Sequence, residues 1–217
     1  MTFDAVVFDM DGTLLDTERV ALQAFKNAAT QLGGHISEEL FIQAIGRGEE
    51  DARRIFLGEL GQNFDYDQMI EMVTVEIHRE CEQGVPPKPG AKEIFDFLQQ
   101  RKVPFAIATS TNLASAKIRL DVVGLLAPVQ AIVGGDEIEK GKPAPDIYLR
   151  AAERLGVEPQ RCVAIEDSAP GITAARAAGM KAILVPDVAP ATDEMRETAH
   201  HVFESLLEVK DWLLGNG

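Results

Sequence analysis

Ala5-Val6-Val7-Phe8-Asp9-Met10-Asp11-Gly12-Thr13-Leu14-Leu15-Asp16-Thr17 is the stretch on which the fold turns. Ala5 to Phe8 is a short unbroken apolar run, the composition of a strand buried on both faces of a parallel sheet. It ends in two acids one residue apart. If the chain is still extended there, Asp9 and Asp11 point to the same side, and Gly12 permits a sharp turn afterwards. Open α/β sheets bind ligands in the crevice beyond the carboxyl ends of their strands. The pair is therefore placed to hold a nucleophile beside a proton-transfer group. Taken alone, it has a competing account: an Asx-turn in which both acids cap backbone amides.

Outward from this stretch, Asp16 or Thr17 caps a helix carrying Val20, Ala21, Ala24, Phe25, Ala28, Ala29 and Leu32, stopped by Gly33-Gly34. From Ser37 to Gln83 only helical spacing recurs, around Phe41, Ile42 and Ile45, then Ile55, Phe56 and Leu60, then Met69, Ile70, Val73 and Ile77. Gly84-Val85-Pro86-Pro87-Lys88-Pro89-Gly90 follows as a hinge-like break. Beyond it strands and helices alternate. Strands are expected at 105–108, 131–133, 162–165 and 182–185. Helices are expected around Ile94 to Leu98, around Ile118, Leu120 and Val123, from Tyr148 to Leu155, from Ile172 to Ala178, and from Leu206 to Leu214. This alternation predicts a doubly wound, Rossmann-like parallel sheet with helices on both faces. The expected organisation is an α/β core of residues 1–15 and 87–217 with an α-helical unit, 16–86, inserted after the first strand.

The 217 residues carry a formal net charge of −14, and 46% are hydrophobic. That length can bury a substantial core. The charge argues against nucleic acid or an anionic membrane as partner, and it requires a local positive device to receive any anionic substrate. Two cysteines, Cys81 and Cys162, have neither metal-ligand spacing nor the number a disulfide scaffold needs. No apolar stretch precedes Asp9 that could serve as leader or membrane span, so a cytoplasmic protein is expected.

In a parallel sheet every carboxyl end faces one edge. Asp9, Asp11, Thr109, Ser110, Glu166 and Asp167 should therefore meet although they are distant in sequence. Lys142 follows the strand ending at Val133 and can reach the same edge. Crowded carboxylates repel unless a cation sits among them, and hard oxygen ligands suit Mg²⁺.

Asp9-Met10-Asp11-Gly12-Thr13-Leu14, Thr109-Ser110, Lys142-Pro143 and Glu166-Asp167-Ser168, in this order, resemble the successive motifs of the haloacid dehalogenase-like (HAD) hydrolases. Within that superfamily the chain is most similar to β-phosphoglucomutase and the small sugar-phosphate phosphatases, which carry a helical cap after the first motif. The resemblance implies a phosphoric monoester hydrolase. Asp9 would be the nucleophile, giving an aspartyl-phosphate. Asp11 would donate a proton to the leaving oxygen and later take one from water. Mg²⁺ would be held by Asp9, the Asp11 backbone carbonyl, Asp167 and Glu166. Thr109 with Ser110 would bind phosphoryl oxygens, and Lys142 would supply fixed positive charge. The implied partner is a small phosphorylated metabolite, with no nucleic acid and no membrane, and a monomer is the default.

Asp11 separates this chain from dehalogenases, which lack that acid, and from phosphonoacetaldehyde hydrolases, which carry alanine there. In β-phosphoglucomutases a cap arginine grips the distal phosphate. The corresponding segment here, Gly46-Arg47-Gly48-Glu49-Glu50-Asp51, places Glu49 at that position and Arg47 two residues earlier. Phosphatase is thus favoured over mutase, with Arg47 a candidate for reaching substrate from a cap loop. A regulatory binder without turnover would be expected to lack one of Asp9, Asp11, Lys142 or Asp167, and all are present. Other patterns fail. Gly46-x-Gly48 follows no strand, and Gly135 to Lys142 has one residue too many for a P-loop. Leu14 occupies the glycine position of a calcium loop. The histidines form no ligand set, and His200-His201 reads as a solvated turn.

Overall fold

The computed structural model describes residues 3–45 and 49–216. They form two compact units, one of residues 3–16 and 86–216 and one of residues 17–45 and 49–85.

The first unit begins with β1 (Ala5–Phe8). The chain then passes through the second unit in four helices, α1 (Thr17–Gln31), α2 (Glu38–Ala44), α3 (Glu49–Leu60) and α4 (Tyr66–Gly84). It returns as α5 (Ala91–Gln100), β2 (Phe105–Ala108), α6 (Leu113–Val122) and β3 (Ala131–Val133). There follow α7 (Asp146–Leu155), β4 (Cys162–Glu166), α8 (Ala169–Ala177) and β5 (Lys181–Leu184). The chain closes with α9 (Asp193–Thr198), β6 (His201–Val202) and α10 (Leu206–Asn216). Among the described residues the sheet has six strands in the order β3-β2-β1-β4-β5-β6, and every neighbouring pair is parallel.

Successive strand residues point to opposite faces, and both faces are covered. On one, Ala5, Val7, Ala106, Ala108, Ala164 and Ala182 meet Ile147, Tyr148 and Ala151 of α7 and Ile172 and Ala175 of α8. On the other, Phe8, Phe105 and α5's Phe95 pack ring to ring, with centroids 5.2 Å apart for Phe8–Phe95 and 4.5 Å for Phe95–Phe105. Burial on both sides is why these strands read as unbroken apolar runs. The order reverses between β1 and β4, the place at which open α/β sheets bind ligands beyond their strand tips. The register pairs Phe8 with Ile107 and with Ile165, which sets Asp9 level with the ends of β2 and β4.

Two elements differ from expectation. His200-His201 is exposed, as expected, but it is not a turn: His201 opens β6, paired with β5, and the His200 ring Nδ1 accepts the Ala182 amide hydrogen at 2.9 Å. The short helix α9 precedes it, capped by Thr192, whose hydroxyl accepts from Met195 N–H at 3.2 Å. A two-residue edge strand with one side exposed leaves no apolar run to detect.

In the helical unit α1 packs against α4. Its interior is aromatic, with Phe25 stacked on Phe56 at 5.2 Å and Phe41 and Tyr66 alongside. Ser37 and Asp65 cap α2 and α4 by accepting from Leu40 and Gln68 N–H. No described helix is long and apolar enough to cross a membrane.

Candidate active site

Each site side chain is delivered by the end of a strand or by the loop after it. Asp9 follows β1, and its amide donates to Ile165 O at 2.9 Å. Thr109 follows β2, its amide bonded to Val133 O at 3.1 Å. Glu166 ends β4, with Asp167 next. Lys142 comes from the loop that enters α7. These groups, far apart in sequence, converge.

The Lys142 ammonium donates to Asp9 Oδ1 and to Glu166 Oε1, the latter at 2.6 Å. Glu166 is wholly buried. Its Oε1 also accepts from Tyr148 Oη at 2.8 Å. Its Oε2 accepts from the amides of Asp167 and Ser168, both at 3.1 Å, and from the Ser168 hydroxyl at 2.9 Å. Asp167 Oδ1 accepts from Thr13 Oγ1 at 3.2 Å. Gly12 adopts φ +86°, and a Cβ there would lie 2.3 Å from Asp167 Oδ2. Only glycine lets the turn after β1 approach that carboxylate.

Two buried carboxyls, one ammonium and the Tyr148 phenol share this space. Burial opposes ionisation of Glu166, yet Lys142, Tyr148 and Ser168 outweigh it and hold the carboxyl below its ordinary value. Burial likewise opposes the Lys142 charge, but Asp9 and Glu166 together raise it well above the ordinary lysine range. Asp9 bears the imbalance. Burial, with the Glu166 charge beside it, pushes it up to about 8 against the pull of Lys142. Burial and Glu166 also raise the Tyr148 phenol well above its ordinary value.

One ammonium cannot neutralise two buried carboxylates, and a third stands at the rim. Asp9, Glu166 and Asp167 each offer a carboxylate oxygen within 4.8 Å of the others. All-oxygen donors with excess negative charge fit a hard divalent cation. Glu166 already accepts five hydrogen bonds, which leaves Asp9 and Asp167 the more open donors.

Asp11 lies in a second cluster. Its Oδ2 accepts from Thr111 Oγ1 at 2.7 Å and Thr109 Oγ1 at 3.3 Å. Its Oδ1 accepts from Arg119 Nη1 at 2.9 Å. Of the remaining residues singled out from sequence, Ser110 is exposed just beyond Thr109, and Arg47 lies outside the described residues. Thr111, Arg119 and Tyr148 had not been singled out. Thr111 stands two residues beyond Thr109, on the same side of an extended tip. Nothing in the spacing of α6 or α7 marks the other two.

The sequence profile of the haloacid dehalogenase-like hydrolases matches residues 3–179. The phosphorylated carbohydrates phosphatase of Thermotoga maritima is 34% identical over 180 residues, 83% of this chain and 83% of that protein. A Thermotoga maritima protein provisionally named a β-phosphoglucomutase superposes with a TM-score of 0.80 at 30% identity, covering 98% of this chain and 99% of that one. A HAD family hydrolase of Deinococcus radiodurans, solved with bound phosphate and sodium, gives 0.84 at 29% identity over 98% and 95% of the two chains.

Proposed function

The chain belongs to the haloacid dehalogenase-like hydrolases, and on that footing we propose that it hydrolyses small phosphorylated metabolites, sugar phosphates foremost, in a magnesium-dependent reaction in the cytoplasm. The observation that carries this is Asp9 itself: a buried carboxylate beyond the tip of β1, where the strand order reverses, held by Lys142 and flanked by Asp167.

Asp9 attacks phosphorus. As its oxygen–phosphorus bond forms, the bond to the leaving oxygen breaks, and Asp11 protonates that oxygen. Water then attacks the aspartyl-phosphate, Asp11 takes its proton, and Asp9 is restored with release of phosphate. Lys142 and the Thr109 hydroxyl, with Ser110 beside it, donate to the phosphoryl oxygens as charge shifts onto them. Glu166 keeps the Lys142 ammonium in place. Asp9, Asp167 and the Asp11 carbonyl would hold Mg²⁺, with Glu166 behind them, and the cation would neutralise phosphoryl charge. The helical unit serves as a cap that selects the leaving group and limits the access of water.

The test is phosphate release from p-nitrophenyl phosphate with and without Mg²⁺, followed by a screen of phosphorylated metabolites ranked by kcat/KM. Metal-dependent release with sugar phosphates at the top is the expected result. No release from folded, metal-loaded protein would leave a non-catalytic binder. Isomerisation of β-glucose 1-phosphate would make the protein a mutase, with Arg47 the first residue to examine.

A further inference from the structure

Helix α6 buries Ala116 and Leu120, and beside them it buries one charge. Ile118 and Val122 are 46% and 51% exposed, while the Arg119 side chain between them is only 12% exposed. On a surface helix a charged side chain is normally the more solvated of such neighbours, as Lys117 and Asp121 are here. Arg119 is turned inward onto one target, Asp11 Oδ1 at 2.9 Å, with Thr111 Oγ1 at 3.4 Å.

From this geometry we propose that Arg119 is a positioning residue for the acid–base carboxyl, holding Asp11 by Oδ1 so that Oδ2 is the oxygen that gives and takes the proton. A guanidinium has donors and no acceptor, so a proton carried by Oδ1 would face another donor. Oδ2 instead faces the hydroxyls of Thr111 and Thr109, and a hydroxyl can accept as readily as it donates. Thr109 also belongs to the phosphoryl site. When its hydroxyl turns to a phosphoryl oxygen, Arg119 and Thr111 keep Asp11 from following. Arg119 thus acts through Asp11 and touches neither phosphorus nor the leaving group. This proposal rests on Asp11 being the proton-transfer group, as argued above.

The experiment is a double-mutant cycle on the full chain with Mg²⁺, using p-nitrophenyl phosphate and the alkyl ester glycerol 2-phosphate as probes. The aryl ester leaves as a stabilised anion and needs little protonation, whereas the alkyl ester depends on it. Arg119→Met should lower kcat by about tenfold to a hundredfold, in line with impaired general acid–base work, and leave KM for the aryl ester within about twofold. The loss in kcat/KM should be at least about tenfold larger for the alkyl ester, and Arg119→Lys should recover part of it. In an Asp11→Asn background the Arg119→Met change should have no further effect, because residues acting as one unit are not additive. Equal losses on the two esters, or full additivity with Asp11→Asn, would overturn the proposal while leaving Asp11 as the acid. Unchanged turnover in Asp11→Asn alone would remove the acid–base assignment itself, and this inference with it. Should Arg119→Met fail to fold, the leaving-group difference in Arg119→Lys decides the same question.

Discussion

The two units of this chain are stabilised by different means. In the helical unit the centre is aromatic, with Phe25, Phe41, Phe56 and Tyr66 packed together, and among the described residues its one buried polar side chain is Thr17. In the sheet unit the strands are as apolar as any core, yet Asp9, Thr13, Thr109 and Glu166 are buried at their ends. An aromatic interior tolerates adjustment, because its contacts are numerous and weakly directional. A buried charged network does not, because each group left without its partner carries the full cost of desolvation. Damage to the sheet unit should therefore be chemical and severe, and damage to the helical unit mechanical and graded.

The largest effect is expected from Asp9→Asn. It should abolish phosphate release while preserving the far-ultraviolet circular dichroism spectrum, and residual turnover near the native rate would mean that the sheet unit is scaffold only. Lys142→Ala comes next. Lys142 is 7% exposed between Asp9 and Glu166, and removing it leaves buried acids without their counter-charge. Stability in urea, measured with a chelator present, should fall by about 3–5 kcal/mol. A loss below about 1 kcal/mol would make the network no more demanding than the aromatic cluster.

A smaller effect concerns pH. Asp9 is raised to about 8, against about 3.9 for an ordinary aspartate. A cation needs the carboxylate, so Mg²⁺ affinity by calorimetry should fall as pH drops below about 8, by up to about tenfold per unit. Without metal the sign reverses. An acid whose value is raised on folding stabilises the fold at low pH, and that contribution is lost as pH rises through about 8. Affinity independent of pH between about 6 and about 8 would show that Asp9 is not the ligand. The smallest change is expected from Phe56→Leu, which keeps a buried apolar group but loses the stack on Phe25. It should cost about 1 kcal/mol, read as faster hydrogen exchange across residues 17–85 with the strands unchanged. Equal loosening of both units would erase the contrast.

How well the chain could be read follows the same division. Phe105 to Ala108 and Ala131 to Val133 were identified to the residue, because a strand buried on both faces has no polar interruption and its carboxyl tip is marked by Thr109-Ser110 or Gly134-Gly135. The meeting of Asp9, Glu166 and Asp167 follows from parallel topology, and Lys142 reaches them from the loop before α7. Arg119 was not legible: one basic residue on a helix normally reads as solvated, and only its withdrawal from solvent onto Asp11 shows otherwise. Tyr148 opens an expected helix and is buried, but its hydroxyl also reaches Glu166, a contact set by the distance between α7 and β4 that no periodicity encodes. His201 was missed because a strand of two residues at a sheet edge has too few contacts to impose a pattern.

The two connections to the helical unit run side by side. Leu15 bridges to Pro87 in antiparallel fashion, the Asp16 amide donates to Pro86 O at 3.0 Å, and the Lys88 amide donates to Leu14 O at 2.8 Å. Exit and re-entry thus share one doorway, and β1 and the sheet close behind it with their own hydrogen bonds. A tight turn joining Asp16 to Pro86 would span the same gap, so the insertion behaves as an exchangeable cassette. If the helical unit has the role proposed for it, swapping it for the corresponding segment of a relative should change which phosphate esters are preferred while Asp9, Lys142, Glu166 and Asp167 keep their places in the sheet unit.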